Sequence, residues 1–138
     1  MAYAVAELIK QINDELEKNA NNAMRPMGIT MAQLGMLVHL HEGGGQLSMK
    51  QLESRIRVAQ STTVGIESRL EAKGLVESFI SDKDHRVKIV RITKAGEEMY
   101  AAARQNMDEA ETRLVRSLSE EERDTLIRLL LKMRDDLK

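Results

Sequence analysis

Six consecutive polar residues, Ser81-Asp82-Lys83-Asp84-His85-Arg86, separate two β-prone runs, Leu75 to Ile80 and Val87 to Ile92. This pattern predicts a short antiparallel hairpin with a basic tip. The flanking sequence is patterned almost entirely as helix, so the hairpin has to be accommodated within a helical fold.

Helix signals occur before and after it. Residues 4–23 set Val5, Leu8, Ile9, Ile12 and Leu16 on one face, extended by Ala20, until Asn21 to Met27, including the lone Pro26, end the helix. Thr30 with Gln33 forms a capping box and Ile29 with Leu34 a hydrophobic staple. The helix they open carries Met31, Leu34, Leu37 and Val38 as its apolar positions and stops at Gly43-Gly44-Gly45. The same start signal recurs with Ser48 and Gln51 as box and Leu47 and Leu52 as staple, predicting a short helix to about Ile56. Arg57-Val58-Ala59 is then a turn. A fourth helix follows from Gln60 or Ser61 to Lys73, with Gly74 at a left-handed C′ position and Ile66 and Leu70 facing inward, Thr63 nearby. After the hairpin, Thr93 caps a long helix with the stripe Met99, Ala103, Met107, Ala110, Leu114 and Leu118. Ser119 and Glu122 then open a last helix bearing Leu126, Leu129, Leu130, Met133 and Leu137.

Helix, turn, helix and hairpin in that order describe a winged helix-turn-helix. The expected fold is mainly α with a small β-hairpin wing: one domain over residues 1–138, with a winged-helix lobe at 28–98 and helices at 1–24 and 99–138. The terminal helices carry long apolar stripes that a compact lobe covers only in part. A second copy of the chain would bury them, and Val5, Leu8, Ile12, Leu114, Leu126, Leu130 and Met133 are the expected dimer contacts. An intramolecular helical bundle is the alternative.

Composition narrows the function. The chain has no Cys, which removes disulfides, thiolate metal sites and thiol redox sensing. It has no apolar run of transmembrane length, and its N-terminal stretch lacks the apolar core of a signal peptide, so a cytoplasmic protein without a membrane partner is expected. With two Tyr, one Phe and no Trp, it lacks the aromatic faces on which single-stranded bases stack. Net charge is −1, but residues 46–94 hold ten Lys/Arg against six acids, a local balance of +4 in the segment with the helix-turn-helix pattern. That distribution points to a polyanion. No nucleophile elbow, phosphate-cradling glycine loop or metal motif is present, so neither an enzyme nor a cofactor is expected. His39 and His41 lie two apart on a helix and point to different sides, and no metal site is assigned.

Gly28-Ile29-Thr30, Leu47-Ser48-Met49-Lys50-Gln51-Leu52, Leu70-Glu71-Ala72-Lys73-Gly74-Leu75-Val76, Asp84-His85-Arg86 and Val90-Arg91-Ile92-Thr93-Lys94-Ala95-Gly96 together resemble the MarR family of transcriptional regulators. The resemblance implies a homodimer on a pseudo-palindromic operator in double-stranded DNA. Each fourth helix would enter a major groove and each wing a minor groove. A ligand-responsive repressor is implied, with a small-molecule effector bound between the dimer helices and the DNA-binding lobe. The expected DNA-binding residues are Ser48, Lys50, Gln60, Ser61, Thr62, Thr63, Gly65, Arg69, Lys83, Asp84, Arg86 and Lys88. Gln60 to Thr63 offer donors at a helix N-terminus, whose dipole favours phosphate. Arg86 matches the family's minor-groove arginine and Asp84 the acid that orients it; a narrow A·T-rich groove attracts a guanidinium. Gly65 departs from the family, which often has a polar or basic residue there, and mid-helix Gly costs about 1 kcal/mol relative to Ala. The alternative function is a winged-helix interaction scaffold that does not read DNA.

Overall fold

The computed structural model describes residues 3–138. They divide into two compact units, one ending at Gln105 and one over Asn106–Lys138. In the first, helix α1 (Val5–Met24) runs into a single 3₁₀ turn, Arg25–Met27, which holds Pro26 and closes on Gly28 in the left-handed region. Helix α2 (Met31–Glu42) follows, then strand β1 (Gln46–Ser48), helices α3 (Met49–Ile56) and α4 (Gln60–Ala72), and strands β2 (Val76–Ile80) and β3 (Lys88–Ile92). Helix α5 (Lys94–Leu114) begins in the first unit and ends in the second, which also holds helix α6 (Glu120–Asp136).

The helix starts follow from local chemistry. At Thr30, Ser48 and Ser119 the side-chain oxygen accepts the backbone N–H three residues on, while Gln33, Gln51 and Glu122 return to the cap's own N–H. This contact holds the Glu122 carboxyl below the usual carboxylate range. The two staples also hold: Ile29, Leu34, Leu47 and Leu52 are all buried.

Helix α2 is the centre of the first unit. Leu34, Met36, Leu37 and Leu40 are buried on it, packed in one core with Leu52 of α3, Ile66 and Leu70 of α4, and Val76, Val90 and Ile92 of the sheet. Met31 differs from expectation. It is the first residue of α2 and stays 49% exposed, while Met36 and Leu40 take the inward places.

The wing is part of a three-stranded antiparallel sheet of order β1-β3-β2, not a free-standing hairpin. β3 pairs Ile92 with Val76 and Lys88 with Ile80 on one side, and Val90 with Leu47 on the other. Across the sheet Arg91 lies between Gln46 and Glu77: its Nε donates to Gln46 at 3.1 Å, its Nη1 lies 3.4 Å from Glu77, and its guanidinium sits 4.6 Å over the Phe79 ring. Where α5 leaves the sheet, Thr93 accepts from the N–H of Gly96 and donates to the carbonyl of Gly74. Only glycine fits at 96, because a Cβ there would meet the Leu75 carbonyl oxygen at 2.1 Å.

The terminal helices keep much of their apolar surface open. On α1, Val5, Leu8, Ile9 and Ile12 are exposed, and Met24 is the buried residue. In the second unit α6 buries no residue, and Leu126, Ile127, Leu129, Leu130, Leu131 and Met133 are all exposed. No helix among the described residues is long and apolar enough to cross a membrane.

Candidate nucleic-acid interface

Helix α4 has two faces of opposite character. Thr63, Ile66, Glu67 and Leu70 follow the 3.6-residue repeat into the core, while Gln60, Ser61, Thr62, Val64 and Arg69 face solvent with Gly65 half-buried among them. The turn before it bends at Arg57, which adopts a left-handed conformation at φ 58°. Lys50, Arg55 and Arg57 are exposed on α3 and this turn.

One expected site residue turns the other way. Thr63 is fully buried, and its hydroxyl donates to the Ala59 carbonyl at 3.4 Å. It belongs to the inward stripe with Ile66 and Leu70 and is not placed to touch a ligand. Ser48 is half-buried, with its hydroxyl committed to capping α3.

Three polar ties hold α4 in place. Lys73, at its C-terminal end, donates to the Gly28 carbonyl at 2.5 Å and to Gln33 Oε1 at 2.7 Å, which joins it to the capping box of α2. Glu71 accepts from the Ser78 hydroxyl of β2 at 3.0 Å. Glu67, its side chain 1% exposed, faces Lys88 of β3 at 3.6 Å, beyond hydrogen-bond reach, and neither carboxylate oxygen has a hydrogen-bond partner. Burial pushes the Glu67 carboxyl upward, the Lys88 ammonium pulls it back, and Glu71 adds to the rise. Lys88 thus sits against α4 at the root of the wing. Glu67 lies outside the expected DNA-binding set, although its place in the Thr63–Ile66–Glu67–Leu70 stripe marks it as an inward acid.

At the wing tip Ser81 N–H donates to the Val87 carbonyl and Val87 N–H to that of Asp84, closing the turn. Arg86 projects with its side chain 90% exposed. Asp84 clasps it, accepting from Nε at 3.1 Å, from Nη2 at 3.2 Å and from the Arg86 backbone N–H at 3.0 Å. These contacts, the guanidinium first, hold the Asp84 carboxyl below its ordinary range. Lys83 is exposed beside them.

Away from this surface, His41 at the end of α2 lies 2.7 Å from Glu97 of α5 and stacks on Tyr100 at 4.0 Å. That histidine pins α5 to α2. Of the expected dimer contacts, Val5, Leu8, Ile12, Leu114, Leu126, Leu130 and Met133 are each at least 39% exposed.

A clamped helix with an open face, beside a three-stranded sheet whose hairpin presents an oriented arginine, defines a winged helix-turn-helix. The MarR family model matches residues 27–86. The chain is 26% identical over 110 residues to the uncharacterized HTH-type transcriptional regulator YdgJ of Bacillus subtilis, covering 80% of this chain and 66% of YdgJ. It is 29% identical over 132 residues to another such B. subtilis regulator, YwoH, covering 94% of this chain and 95% of YwoH. Its fold is similar to that of S. aureus MepR in a complex with DNA, with a TM-score of 0.83 at 25% identity over 99% of this chain and 100% of MepR. The chain is thus similar to the MarR family of winged helix-turn-helix transcriptional regulators.

Proposed function

We propose that the protein is a cytoplasmic, sequence-specific repressor that binds double-stranded DNA as a homodimer on a pseudo-palindromic operator and is released by a small-molecule effector. Residues 28–98 form the DNA-binding lobe, and residues 1–24 and 99–138 the dimerisation helices. The observation that carries the DNA reading is Arg86, 90% exposed and clasped by Asp84 at the wing tip. A guanidinium presented in one pose suits a narrow, electronegative minor groove. The exposed face of α4 supplies Gln60, Ser61 and Thr62 to the adjacent major groove. The MepR–DNA complex supports the same reading at 25% identity. The exposed stripes of α1 and α6 support the dimer, since a second copy is the cover that gives both the same remedy. Release by an effector comes from the family alone.

The test is fluorescence anisotropy with duplex DNA selected from a random pool, titrated at several salt concentrations. Each phosphate neutralised lowers the slope of log K against log salt by about 0.9. Two subunits presenting Lys50, Arg55 and Arg57 should give a slope of several units. A slope near zero, or no enriched sequence, refutes the repressor and favours a scaffold.

A further inference from the structure

Gly65 is a residue the chain's own packing does not require. It lies inside α4 with a helical backbone, and a Cβ built on it meets only the Arg69 Nη1 at 3.4 Å, an ordinary van der Waals contact. Alanine would therefore fit and favour the helix. The glycine sits on the open face, next to Val64, which is 42% exposed although apolar and β-branched. One turn on, Arg69 folds its guanidinium back over the glycine, toward the helix N-terminus. Gly65 lies mid-helix and Arg69 in the last turn, so it is this backward fold that carries the guanidinium toward the N-terminal part of the helix, the part of a helix-turn-helix that meets base edges.

We propose that Gly65 and Arg69 form one specificity element: the bare backbone at 65 lets a G·C pair approach until the guanine edge reaches the guanidinium lying over it. The inference rests on the DNA-binding reading above. Arginine offers a planar fork that matches guanine O6 and N7, which a neutral side chain does not reproduce. Val64, beside the notch, meets a thymine methyl at the neighbouring position. A methyl group at 65 projects from the helix into the space the base pair occupies and keeps the two apart.

The experiment is duplex selection from a random pool with the full-length wild type, Arg69→Ala and Gly65→Ala, followed by anisotropy on the wild-type operator and on the same operator with its selected guanine changed to adenine in both half-sites. Wild type should enrich one guanine per half-site and discriminate against the changed operator by at least about tenfold. Arg69→Ala should bind both operators equally while keeping its preferences elsewhere. Gly65→Ala should melt about 2–6 °C higher, yet bind the operator at least about tenfold more weakly. The two changes of opposite sign separate a DNA role from a structural one. If Arg69→Ala weakens both operators by one factor and still discriminates between them, Arg69 touches phosphate and the proposal fails. It fails equally if Gly65→Ala keeps wild-type affinity or melts lower. A wild type that enriches no sequence overturns the DNA-binding reading itself, and this inference with it.

Discussion

The Glu67–Lys88 pair makes an asymmetric prediction. The carboxylate is 1% exposed and the ammonium 40%, with 3.6 Å between them. At an effective dielectric of about 20, that separation gives an attraction of about 4–5 kcal/mol. Withdrawing each ion from water costs several kcal/mol, and Glu67 bears nearly all of that cost because Lys88 remains half in solvent. The pair is therefore close to break-even, and its two members are not equivalent. Lys88→Met strands a buried carboxylate that has no hydrogen bond; removing one partner of a buried pair costs about 3–5 kcal/mol, and Glu67 can shed part of this by protonating, so about 2 kcal/mol is expected at pH 8. Glu67→Met removes the buried ion, and Lys88 turns to water. That variant should be neutral or about 1 kcal/mol more stable.

The pH dependence follows from the direction of the shift. Glu67 has its folded-state carboxyl raised above the ordinary value of 4.5, chiefly by burial. A raised acid binds protons more tightly folded than unfolded, so its contribution to stability falls as pH climbs from the ordinary to the raised value and stays constant below. Losing Lys88 raises the folded value further. The penalty of Lys88→Met should thus shrink toward zero as pH falls to the ordinary glutamate range. It should also vanish in a Glu67→Met background, where there is no carboxylate to strand. Urea denaturation followed by circular dichroism, at fixed protein concentration and at pH 5 and 8, measures all four corners of this cycle. A Glu67→Met variant that loses more stability than Lys88→Met at pH 8 would refute the reasoning.

Other substitutions probe other parts of the chain. Arg86→Ala should leave the fold intact, because the side chain is 90% exposed, and should weaken operator binding by about 1–3 kcal/mol per lost contact; Asp84→Ala should do less; anisotropy with a circular-dichroism control decides. Leu130 is 44% exposed in the single chain, so Leu130→Glu should be nearly neutral in a monomer but should break a dimer that buries it; sedimentation at wild-type dimer mass would count against α6 as an interface. Gly96→Ala drives a methyl group against the Leu75 carbonyl and should cost about 2–3 kcal/mol in a thermal melt.

Features governed by neighbours in sequence were legible before the structure. Three capping boxes, the left-handed Gly74 and the hairpin runs depend on residues within a few positions of one another, and each is present. Features governed by distant partners were not legible. Strand β1 is three residues long and exists because β3, more than 40 positions away, offers it an edge. Lys73 and Lys88 count as basic residues in any sequence tally, yet one is tied to the Gly28 carbonyl and Gln33 and the other to Glu67. Thr63 reads as a hydroxyl at a helix N-terminus, but the helical repeat that buries Ile66 and Leu70 buries it too.

The pairing of charges also bears on the role proposed for the wing. Its tip has the look of a basic finger, yet Asp82 and Asp84 offset Lys83 and Arg86, so it adds no net charge. Arg86 and Asp84 are moreover bound to each other. A neutral tip draws little from a phosphate backbone at long range. The excess of +4 in residues 46–94 instead survives elsewhere, because Lys88 with Glu67 and Arg91 with Glu77 cancel in pairs while Lys50, Arg55, Arg57 and Arg69 remain exposed on α3, the turn and α4. Under the proposed function, attraction to the duplex would therefore belong to the helix-turn-helix, and the wing would act at contact, where the pose of one guanidinium meets the width of one groove. On that division of labour the proposed role of Arg86 is to sense groove width, and that of the cations of α3 and its turn is to set how steeply binding falls with salt.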